Sequence, residues 1–99
     1  MEFMIIGRDG TDAGAFGRRL AVREQHLDCF DTFRKLGFFK YGCAILDDNQ
    51  QMVGSVIVCE FESRDELEKL WLSNEPYVVG DVWRNIEITQ IRSRIPTNV

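Results

Sequence analysis

Apolar positions along the chain switch between the period of a strand and that of a helix, and the switches divide it into six elements. Residues 2–6 (EFMII) are apolar except for Glu2 and stop at Gly7, a length that suits a buried strand. The following RDGTDAGAFGRRLAV is rich in glycine and turn formers, and its pattern predicts a loop with at most a frayed helical turn. Residues 22–36 carry helical spacing up to Gly37, a residue that commonly closes a helix in the left-handed region. FFKYGCAIL and MVGSVIVCEF, rich in aromatic and β-branched residues and separated by DDNQQ, read as an antiparallel hairpin.

Ser63-Arg64-Asp65-Glu66 has the spacing of a capping box, and Leu67, Leu70 and Trp71 continue it as the apolar stripe of a second helix ended by Asn74 and Pro76. A short turn spans residues 77–83, and RNIEITQIRS places Ile86, Ile88 and Ile91 in a fourth strand. Residues 94–99 are expected to be a C-terminal tail to one domain covering 1–99. The order βαββαβ is ferredoxin-like, an α+β sandwich with two helices on one face of a four-stranded antiparallel sheet. In the third strand Val53, Ile57 and Cys59 face one side and Met52, Val56 and Val58 the other, so both faces are apolar. A second copy packed on the open face is the simplest cover, and a homodimer follows.

Composition narrows the function classes. The chain of 99 residues is 44% hydrophobic and 28% charged, the balance of a folded globular protein. A net charge of −4 without a basic cluster argues against nucleic acid and anionic membranes as partners. There is neither the charged and apolar pattern of a signal peptide nor an apolar run of about 18 residues, so a cytoplasmic location is expected. Cys29, Cys43 and Cys59 are an odd, widely spaced set with a single histidine to assist them, which favours buried free thiols over a disulfide framework or a zinc site.

That histidine is the chain's candidate chemistry. Around the first helix, with Leu27 as origin and about 100° per residue, Phe30, Phe33, Cys29 and Leu36 fall between about 180° and 300°. His26 falls at about 260°, in the middle of this apolar arc and opposite Glu24, Asp28, Asp31, Thr32 and Lys35. An inward imidazole can be a satisfied core residue, but one near a glycine-rich loop also suits general acid–base work near neutral pH. Arg23, one turn earlier, edges the same face and is placed to hold an anionic group or to snorkel.

The motif Arg23-x-x-His26-Leu27, the helix stop at Gly37, Gly42 in an aromatic strand, Gly54-Ser55 opening the third, and Glu75-Pro76-Tyr77 with Gly80 together resemble the YciI-like (YCII-related) proteins over essentially the whole chain. These are small bacterial proteins of the dimeric α/β-barrel superfamily, similar to muconolactone isomerase and chloromuconolactone dehalogenase. The resemblance implies a histidine–acid pair lining a cleft, carried here by His26 and Glu75, with Glu75 standing where the family has Asp. Beside that pair Arg23 is a candidate contact for a small organic acid, Ser55 and Tyr77 are weaker ones that more often serve as packing or turn residues, and the chemistry requires no cofactor or metal. The first function expected is a cofactor-independent lyase or isomerase in which His26 moves a proton next to a carbonyl. The alternative is a non-catalytic small-ligand-binding or stress-linked dimeric module using the same cleft.

Overall fold

The computed structural model describes residues 1–94, so of the expected 94–99 tail only Arg94 falls within the described residues. The order is β1 (Glu2–Asp9), α1 (Ala15–Lys35), β2 (Phe39–Leu46), β3 (Met52–Glu60), α2 (Arg64–Glu66) running into a π-helical turn (Leu67–Trp71) and a 3-10 turn (Leu72–Asn74), α3 (Pro76–Val79) and β4 (Trp83–Ile91). All strand pairs are antiparallel in the order β2-β3-β1-β4, with Ile57, Ile5 and Ile88 aligned across β3, β1 and β4. This is the ferredoxin-like α+β arrangement, its helices on one sheet face.

The core lies between that face and the helices. Phe3, Ile5, Phe39, Ile57, Cys59, Phe61, Leu67 and Trp71 are buried there. The Phe39 and Trp71 rings meet edge to face at 4.8 Å, and Phe38 stacks on Phe61 at 4.9 Å, geometries that aromatic pairs favour. Burial pushes the Cys59 thiol up to about 12, and burial with the nearby Glu75 charge pushes Cys29 up to about 11. Cys43 departs from the expectation of three buried thiols, because it lies exposed on edge strand β2.

Three boundaries and one helix cap differ from those expected of the sequence. Strand β1 does not stop at Gly7 but runs to Asp9, and Gly7 is there for space: a Cβ on it would lie 2.3 Å from the Trp83 indole. Helix α1 begins at Ala15 rather than Val22, so half of the expected loop is helical. A mid-helix glycine costs about 1 kcal/mol, and ion pairs that no local pattern can register hold this turn: Arg18 grips Asp12 at 2.7 and 2.8 Å, and Arg19 binds Asp9. Pro76 ends one helix but also opens α3 at its first position, where its missing N–H is harmless. In the expected capping box Ser63 does accept from the Glu66 amide, while the Glu66 carboxylate accepts from Glu62 rather than Ser63. Leu27, Leu36 and Leu70, counted into the apolar stripes, lie at their exposed margins.

The opposite sheet face carries Met4, Ile6, Val56 and Val58, all half-buried, and exposed Tyr41. No helix among the described residues is long and apolar enough to cross a membrane.

Because the Gly7 contact is with a rigid indole wedged in the core, Gly7→Ala is expected to destabilise the protein by about 1–3 kcal/mol, the usual range for overpacking. Urea unfolding of the variant against the parent measures it; an unchanged midpoint would refute the packing role assigned to this glycine.

Candidate active site

The site is assembled from α1, the α3 N-terminus and the ends of β1 and β3. His26 lies just past the middle of α1 and faces the sheet, with a side chain only 10% exposed. Glu75 precedes Pro76 in an extended conformation (φ −61°, ψ 126°), the geometry that a following proline favours, and this aims its carboxylate back under α1. The two meet at 2.9 Å between His26 Nδ1 and Glu75 Oε2.

Glu75 is fully buried, and three donors converge on it. Oε2 accepts from the Tyr77 amide at 2.9 Å as well as from His26, and Oε1 accepts from the Trp71 indole N–H at 3.2 Å. A carboxylate that already accepts from two fixed N–H groups makes Nδ1 the protonated nitrogen of His26. Nε2 is left with its lone pair, and it has no hydrogen-bond partner among the described residues. The extra methylene of Glu over Asp is accommodated by the indole: Trp71 closes the π-helical turn and reaches Oε1 from four residues before.

Tyr77 lies flat against the imidazole, ring centroids 3.9 Å apart and planes 14° from parallel, and Trp83 meets both rings edge-on. Burial raises the Tyr77 phenol above its ordinary value, opposed by the charges of Arg19 and Arg23. On the far side of the site Arg19, 3% exposed, spans Asp9 at 2.9 and 3.0 Å, the Gly54 carbonyl at 3.0 Å and the Ser55 hydroxyl at 2.7 Å. Ser55 is therefore held by Arg19, its oxygen accepting.

A cavity of about 170 Å³ opens between α1 and strands β2 and β3. Arg19, Arg23, His26, Ser55 and Tyr77 line it, against an apolar wall that includes Phe30 and Met52. All five of these polar residues thus border one space, while Glu75 stands behind His26. Arg23 is exposed and makes no ion pair among the described residues.

Asp9 and Arg19 are the site residues that sequence reasoning missed. Both fell in a segment read as loop or its approach, although Arg19 sits seven residues before His26, two helical turns on the same face. Extending the helix back to Ala15 would have exposed that spacing. Among the described residues no cluster of three or more His, Cys, Asp or Glu side chains is placed to hold a metal ion.

With the ferredoxin-like frame, a buried acid–histidine pair and a cationic, aromatic-walled cavity in place, the class of protein is a small α+β domain with a preorganised polar site. A family model described as YCII-related domain matches residues 1–92, and the chain belongs to that family. Among solved structures it is similar to 5-chloro-2-hydroxyhydroquinone dehydrochlorinase from Burkholderia phenoliruptrix AC1100, in complex with 2,5-dihydroxybenzoquinone, with a TM-score of 0.79 and 22% identity over 93% of this chain and 94% of that one. It also resembles protein Atu4242 from Agrobacterium tumefaciens, at a TM-score of 0.50 and 18% identity over 97% and 98% of the two chains. At these identities the likeness is one of fold. No curated protein matches the chain.

Removing the Glu75 carboxylate strands three N–H donors. Glu75→Ala is expected to cost on the order of 3 kcal/mol or more, and Glu75→Gln, which keeps an acceptor, distinctly less. Chemical denaturation of both variants compares the losses; equal costs would show that burial volume rather than hydrogen bonding sets the role of Glu75.

Proposed function

We propose that the chain is a cofactor-independent lyase or isomerase that moves a proton on a small organic acid, with His26 as the base and acid. The observation that carries this is the 2.9 Å contact between His26 Nδ1 and the buried Glu75 carboxylate, which leaves Nε2 as the lone-pair nitrogen of a residue lining the cavity. In this reading Nε2 removes a proton from a carbon next to a carbonyl or vinylogous acid, and Glu75 stabilises the imidazolium that forms. Arg23 holds the substrate's carboxylate or enolate oxygen. The Tyr77 phenol, kept protonated by burial, is a second donor for that oxygen, and Ser55 shapes the wall beneath it. The proton returns from Nε2 to a different carbon in isomerisation, or the adjacent carbon expels its leaving group in elimination.

The fold-level similarity to a dehydrochlorinase agrees with a lyase-type reaction, although a fold by itself hosts many chemistries. The same cavity would also serve a non-catalytic ligand-binding module, since every binding feature named above remains without turnover. His26→Gln separates the two readings. Screening small carboxylated and enolic halo-organic acids for halide release or proton exchange with solvent should find turnover in the parent, and His26→Gln should lower it by at least about 100-fold while retaining ligand affinity. Binding without turnover in the parent across the screen, with affinity lost in His26→Gln, would establish the module instead.

We also propose that the protein is a homodimer joined through the open sheet face. Met4, Ile6, Val56 and Val58 form an apolar strip across the two central strands, β1 and β3, and exposed Tyr41 and Cys43 extend it to the β2 edge. Solvated in a monomer, such a strip would be costly; a second copy removes it from water. Sedimentation equilibrium is expected to give the mass of two chains for the parent and of one for a folded Val56→Lys variant. A parent of single-chain mass at high micromolar concentration would refute the dimer.

A further inference from the structure

We propose that Arg19 is a positioning residue for His26, acting across the ring of Tyr77. Arg19 makes no hydrogen bond to His26 or to Glu75; four of its five N–H groups are spent on Asp9, the Gly54 carbonyl and the Ser55 hydroxyl. Those contacts hold a planar cation in one orientation, as the guanidinium fork allows and an ammonium does not. Its central carbon lies 4.6 Å from the centroid of the Tyr77 ring, and that ring lies 3.9 Å from the imidazole. Two helical turns separate Arg19 from His26, a rise of about 10.5 Å, and the phenol ring lies between their side chains in contact with both. Tyr77 thus occupies a slot between two side chains of the same helix.

The slot matters because Tyr77 also carries the amide that shares Oε2 with His26 Nδ1. Ring and amide of one residue therefore set the plane of the imidazole and the place of its carboxylate partner. Removing the cation frees the phenol ring from one side. The imidazole then loses the wall that keeps Nδ1 on Glu75 and Nε2 towards the cavity. The buried Arg19–Asp9 pair is in this view the anchor of a stack running Asp9, Arg19, Tyr77, His26, Glu75. The inference builds on the reading of His26 as the proton-transfer group, but its test reads the imidazole directly and needs no substrate, so either can fail without the other.

The chain has one histidine, so every imidazole NMR signal belongs to His26. In the parent, long-range ¹H–¹⁵N spectra are expected to show a single tautomer protonated at Nδ1, with ring protons displaced upfield by the stacked phenol. The Asp9→Asn/Arg19→Met double variant removes both charges and so leaves no buried ion unpaired. Folded, it should lose the upfield displacement and show a second tautomer. Tyr77→Leu should do the same, and adding the double change to it should bring no further shift. Parent-like His26 signals in the folded double variant would overturn the proposal, as would a full additional shift on the Tyr77→Leu background. Should the double variant not fold, Arg19→Lys, which keeps the charge but not the fork, is read in the same way: a partial loss of the displacement supports the proposal and unchanged signals overturn it.

Discussion

A carboxylate with no exposure to solvent is the constraint around which this molecule is arranged. Burying Glu75 costs several kcal/mol unless its oxygens are filled, and the protein fills them with an imidazole, an indole and a backbone amide. Each donor comes from a different place: α1, the π-helical turn and α3. The bonds therefore tie together the three helical pieces that cover the sheet. Stability of the helical layer and orientation of His26 are one arrangement.

The π-helical turn and the break at Pro76 belong to the same logic. Widening one turn brings the Trp71 indole within reach of Glu75, and the extended backbone before proline turns the carboxylate inward. Irregular helix geometry is often found where a side chain must be re-aimed for function. Here it provides the second-layer support that a histidine needs if one nitrogen is to stay protonated and the other free.

Around this pair the charges divide by depth. Asp9 and Arg19 neutralise one another out of water, whereas Arg23 stands unpaired at the cavity among the described residues. One helix face thus presents both a fixed, buried ion pair and an exposed cation. The apolar walls lower the local dielectric and strengthen each of these interactions.

Much of this was legible in residue order. Hydrophobic periodicity yields the βαββαβ order, and the angle of His26 on its helix places it inward. The motif resemblance pairs His26 with Glu75 across a sequence separation of 49 residues. The helical turn from Ala15 to Ala21 was not legible, because its stability comes from Arg18 and Arg19 reaching Asp12 and Asp9, contacts that local propensity does not contain. Nor was the reason for Gly7, which is the indole of Trp83 on a neighbouring strand. Periodicity records which side of an element is apolar, so residue order is enough to place most of the elements and their inward faces. Which polar groups meet beneath those faces depends on distances between elements far apart in the chain, and it is the packing of α1 and α3 on the sheet that brings Asp9, Arg19, Tyr77, His26 and Glu75 into one chain of contacts.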